Sequence, residues 1–95
     1  MTIAPVSVRL CLFDTSMGGP KRPQASDNRS MLFRFAGDER LFGAVATFDG
    51  DPIEPGRCRA VLLHFMFSEA LEVANSGSLF EVSFGPSVIG LGSID

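Results

Sequence analysis

The side chains able to do chemistry are few and scattered. His64 is the only histidine, so a Ser-His-Asp triad would have to be built on it. It stands between Leu63 and Phe65 in a strand-like run, and no Gly-x-Ser-x-Gly elbow occurs in the chain. It therefore reads as a structural histidine. Cys11 and Cys58 form no Cys-x-x-Cys motif, and with a single histidine they give no zinc-ligand spacing. Asp49, Asp51 and Glu54 lie close in sequence but lack the later Gly and Glu of a calcium-binding loop. Gly18-Gly19-Pro20-Lys21 lacks the spacing and the following Ser or Thr of a P-loop, and no helix follows it. Asn28-Arg29-Ser30 matches a glycosylation triplet, which has meaning only in a secreted chain. No catalytic, cofactor-binding or metal-binding residue is assigned. The expectation is a protein without cofactor or bound nucleotide that is not an enzyme.

Composition sets the frame for those side chains. The chain has 95 residues, 45% hydrophobic and 20% charged, which suits one soluble domain over residues 1–95 with one modest core. The aromatic residues are nine Phe, with no Trp or Tyr, so they have no polar handle and belong in the core by default. The net charge of −3 argues against a general nucleic-acid or membrane-surface binder. No run approaches a membrane-spanning helix. The start of the chain has no basic segment, and Arg9 interrupts its apolar run, so no signal peptide is read. The expected location is cytoplasmic, where both cysteines would be reduced thiols in strands.

The elements that must position these residues read as strands. Val6, Val8, Leu10 and Leu12 alternate with Ser7, Arg9 and Cys11, which predicts a first strand with one buried face. Residues 15–29 are polar and rich in Gly and Pro, and read as a long flexible loop. Residues 31–35, 41–48 and 57–68 predict the next three strands, separated by turns at Gly37-Asp38-Glu39 and Asp49-Gly50-Asp51-Pro52. The 57–68 run is apolar on both faces, as expected of a central strand or an interface. Residues 68–76 predict either one or two helical turns capped by Ser68 or an extended connection. Two runs flanking Gly85-Pro86-Ser87 predict a closing hairpin. Phe80, Val82 and Phe84 would share one face, while Gly90 and Gly92 would let another strand pass close. Six strands with short connections imply an all-β antiparallel barrel or sandwich.

Leu41-Phe42-Gly43, Pro55-Gly56 before the Val61-to-Phe65 run, the stretch Gly77-Ser78-Leu79-Phe80-Glu81-Val82, and Gly85-Pro86-Ser87-Val88-Ile89-Gly90-Leu91-Gly92 occur in this order. In them the chain resembles the C-terminal barrel of translation elongation factor Tu and its translational GTPase relatives. The resemblance runs from about residue 6 to residue 94 and is most specific in the second half. It implies a small, closed, six-stranded Greek-key barrel that receives partner proteins. The family's GTPase domain and second barrel have no counterpart, so it implies no GTP hydrolysis. Where the family places an arginine-glutamate pair on the T-stem of transfer RNA, this chain has Ser83 and Phe84. Near the family's RNA-contacting glutamine it has Met31, and Ser68 replaces the proline that ends the long strand.

Two kinds of partner surface follow. A free-standing barrel would expose ground that the family covers with neighbouring domains. Leu62, His64 and Met66, with Phe33 or Phe35, are the expected interface for a protein partner or a second copy in a homodimer. The other reading of that row is that the 68–76 connection covers it. The second surface is basic: Lys21, Arg22, Arg29, Arg57 and Arg59 would be the contacts of an RNA-binding accessory of translation. The first expectation is a non-catalytic protein-binding module.

Overall fold

The structure is a computed structural model that describes residues 4–27, 31–75 and 77–95. Its strands are β1 (Val6–Leu12), β2 (Met31–Phe35), β3 (Phe42–Thr47), β4 (Cys58–Phe65), β5 (Leu79–Phe84) and β6 (Ser87–Ile94). They close into an antiparallel barrel in the order β1-β4-β3-β2-β5-β6. The strand pattern leaves a barrel or a sandwich open, and the closed six-stranded barrel that the resemblance implies is the fold observed.

Closure follows from period-two patterning. Val8, Leu10 and Leu12 of β1 point inward with Val61, Leu63 and Phe65 of β4, and all are buried. Phe33, Phe35 and Phe80 fill the centre. The Phe33 ring meets Phe65 at 6.1 Å and Phe80 at 5.6 Å, both edge-on, the arrangement that ring quadrupoles favour. Phe33 and Phe35 are 0% and 2% exposed, so they are core residues and cannot belong to an outward interface. The reason is alternation: on β2, Leu32 and Arg34 take the outer face.

The two glycines of β6 make the tight packing possible. A Cβ at Gly92 would run into the Phe80 ring and the Arg9 carbonyl, and one at Gly90 would strike the Cys11 carbonyl. The close approach expected at these positions is therefore that of β1 and a core ring. The hairpin departs from strict alternation at one point. Val82 pairs with Gly90 but Ser83 pairs with Val88, which leaves Ile89 as an extra residue in a bulge. Ile89 turns inward, Ser83 is buried beside Val82, and Phe84 is only half-buried.

Connections stopper both ends. Ser68–Glu72 forms a short 3-10 helix whose Ala70 is fully buried. Its N-cap is Phe67, in extended conformation and with no side-chain cap, so Ser68 is the first helical residue and not the cap. At the other end Ile53 is buried, and its backbone exchanges two hydrogen bonds of 2.9 Å with Gln24. The described part of the 15–29 segment is pinned there and elsewhere. Thr15–Met17 is a 3-10 turn capped by the Asp14 carboxylate, Thr15 Oγ1 donates to the Pro20 carbonyl at 2.7 Å, and Asp27 N–H donates to the Ala46 carbonyl at 2.9 Å.

One expectation is overturned on β1 and β4. Cys11 and Cys58 are disulfide-bonded, not reduced. They are direct cross-strand partners on the outer face, with Cα atoms 3.9 Å apart. Antiparallel register brings opposed side chains together however distant they are in sequence.

Candidate functional site

The outer face of β3 and β4 carries the candidate surface. On β4, Ala60, Leu62 and His64 face out between the buried Val61, Leu63 and Phe65. Register sets Leu62 beside Ser7 on one side and Thr47 on the other, and His64 beside Val45. Leu62 on the sheet is 41% exposed and Met66 beyond its end 50%, large values for apolar side chains. Beside Leu62 lies a shallow depression of about 350 Å³, which Ser7, Thr47 and Phe48 also line.

Met66 lies just past the end of β4. Its N–H donates to the Gly43 carbonyl at 3.1 Å, and its thioether lies against Gly43, where no side chain intervenes. Gly43 in turn pairs with the half-buried Leu32 of β2. The result is an apolar strip running from Leu62 past Val45 to Met66 and Leu32. Leu41, two residues before the outward Gly43, is 53% exposed and extends it at the barrel's end.

His64 supplies the polar point in this strip. Its Nε2 and the Thr47 hydroxyl share a hydrogen bond of 2.8 Å. The bond fixes the ring and offers no nucleophile–base–carboxylate geometry. Among the described residues, no three His, Cys, Asp or Glu side chains are grouped as a metal site would need.

The described part of the 68–76 connection, residues 68–75, does not lie over the strip as a cover. Its buried residue, Ala70, points into the barrel end, and Val73 and Ala74 pack on the same core. Leu62 and Met66 keep their exposure beside it. Of the five residues expected at the interface, Leu62, His64 and Met66 are brought together on one outer face, while Phe33 and Phe35 are inside.

The basic residues that are described lie on loops and strand ends and are interleaved with acids. Lys21, Arg22 and Arg57 are exposed on loops at one end, and Arg29 lies outside the described residues. The Arg59 guanidinium sits 5.2 Å from the centre of the Phe48 ring and donates to the Asp49 carbonyl at 3.1 Å. The same loops carry Asp14, Asp27, Asp49, Asp51 and Glu54, so the cations do not make a field of one sign.

A second outward apolar pair was not singled out from the sequence. Leu79 and Leu91 are 61% and 48% exposed and border a shallow groove of about 510 Å³. An ion pair, Arg34–Glu81 at 2.6 Å, lies in the groove wall. The signal was present as alternation, since Leu79 precedes the inward Phe80 and Leu91 stands between two inward glycines. In comparisons of the sequence, no protein-family model matches and no curated protein matches.

Proposed function

We propose that this chain is a non-catalytic protein-binding module that associates through the outer face of β3 and β4. The occupant is a second copy of the chain or another protein. The observation that carries the reading is the strip of Leu62, Val45, Met66 and Leu41, which the barrel's own connections leave open to water. Removing such side chains from water contributes about 25 cal/mol per Å² of apolar surface, so a few of them can drive association. The rigid sheet beneath means that little ordering opposes binding.

The resemblance to the C-terminal barrel of translation elongation factor Tu supports the same reading, because that barrel receives partner proteins. The acids interleaved with the cations, and the neutral or apolar Ser83, Phe84 and Met31, favour protein over RNA as the partner class. The test is the molar mass in solution, by light scattering, of the wild type and of Leu62→Asp. Leu62 is an outward residue, so the variant keeps its fold. The proposal expects association in the wild type and a monomer in the variant. For a heterologous partner, it expects loss of the captured protein. A variant with unchanged mass and unchanged bound proteins contradicts it.

A further inference from the structure

The disulfide belongs to neither the core nor the proposed interface. It stands on the outer face in a continuous row across the sheet: Arg34 pairs with Glu81, Glu81 with Leu91, Leu91 with Cys11, and Cys11 with Cys58. Its two ends differ. Cys58 is exposed and Cys11 half-buried. The chain has only these two cysteines, so any exchange must be with a sulfur from outside.

The seam does not depend on the covalent bond. β1 and β4 pair from Val6↔Leu63 to Cys11↔Cys58, and the backbone bonding continues past the cysteines. Leu12 N–H donates to the Arg57 carbonyl at 3.0 Å, and Gly56 N–H donates to the Leu12 carbonyl at 3.1 Å. The ladder therefore holds the two sulfurs opposite each other whether or not they are bonded. One cation shares their face: Arg9 is two residues from Cys11 and, like it, points outward.

We propose that Cys11 and Cys58 form a redox centre whose reduced state is a two-electron donor to external disulfides. Cys58 is the attacking thiol and Cys11 the resolving one. The Cys58 thiolate attacks one sulfur of an external disulfide. That S–S bond breaks, the first external thiolate leaves with the electron pair, and a mixed disulfide remains on Cys58. The Cys11 thiolate then attacks Cys58 Sγ, the mixed bond breaks, and the second external thiolate departs. The external disulfide is reduced to two thiols, the protein dithiol is oxidised to the disulfide, and the two cysteine protons pass to the released thiolates. The ladder makes the second step intramolecular and pre-aligned, so closure outruns escape of the adduct.

The probe is oxidised glutathione added to fully reduced protein freed of reductant, with products read by intact mass. An amide NMR spectrum first establishes whether the reduced chain is folded. The proposal expects a folded dithiol that closes to the intramolecular disulfide at least about tenfold faster in buffer than in urea, because alignment is lost on unfolding. It expects Cys11→Ser to accumulate a glutathione adduct on Cys58. Cys58→Ser should form the corresponding adduct on Cys11 about tenfold more slowly, as its burial dictates. A reduced chain that is unfolded, a wild-type adduct that persists, closure no faster in buffer than in urea, or equal adduct rates in the two variants would each overturn it.

Discussion

At the scale of single residues, two glycines of similar sequence context are expected to behave differently. Gly92 faces the core, where a Cβ meets the Phe80 ring and the Arg9 backbone. Backbone cannot step aside without disturbing the β1 ladder, so Gly92→Ala should cost about 3 kcal/mol. Gly43 faces outward, and the atom nearest its missing Cβ is the Met66 sulfur at 3.2 Å, the far end of a flexible side chain. Gly43→Ala should cost less than about 1 kcal/mol. Urea unfolding separates the two through their midpoints, with slopes unchanged. Similar losses would mean that the close approach of β1 to β6 is not as described. Asp38 gives a titration test. The Arg40 guanidinium, then the Arg40 N–H, hold its carboxyl down at about 2, against an ordinary 3.8. A folded value below the unfolded one stabilises the fold above the unfolded value, and this contribution is lost as pH falls through about 2. Arg40→Ala should raise the Asp38 midpoint toward 3.8 in a carboxyl-detected NMR titration. An unmoved midpoint would contradict the pairing.

At the scale of elements, the β1–β4 seam carries both a ladder and a covalent link. The cysteines are 47 residues apart, and closing such a loop in the unfolded chain is worth about 4 kcal/mol in the chain-entropy account. Replacing both cysteines by serine should lower unfolding free energy by about that amount while the barrel remains folded, since the ladder persists. Differential calorimetry and an amide spectrum check the two halves of this statement. Elements were also where the sequence was most readable. Alternation in Val8, Leu10, Leu12 and in Val61, Leu63, Phe65 dictates strands with one inward face, and Gly85-Pro86 marks the hairpin. The disulfide was not readable, because it depends on register between strands far apart in sequence, and alternation within each strand says nothing about which residue lies opposite. The bulge at Ile89 was hidden for a related reason: Val88, Ile89 and Leu91 are all apolar, and only pairing with β5 reveals which is the extra one. Phe67 caps the short helix through backbone conformation alone, with no side-chain signature to read.

At the scale of the whole molecule, closure decides what is inside and what is outside. Once six strands seal, Phe33 and Phe35 cannot reach a partner, although their β2 neighbours can. The part of the proposed interface legible beforehand, Leu62 and Met66, was legible because a strand apolar on both faces must put one of them outward. Val45 joins the surface only through the β3–β4 register, which sets it beside His64 and which no local pattern displays. Nuclear magnetic resonance of isotope-labelled protein tests the central claim most directly, first alone at rising concentration and then in unlabelled cell extract. The account predicts amide shifts or broadening at Val45, Thr47, Leu62, His64 and Met66, with Lys21, Arg22 and Arg57 unmoved. Perturbation centred on those cations, or none under either condition, would contradict it.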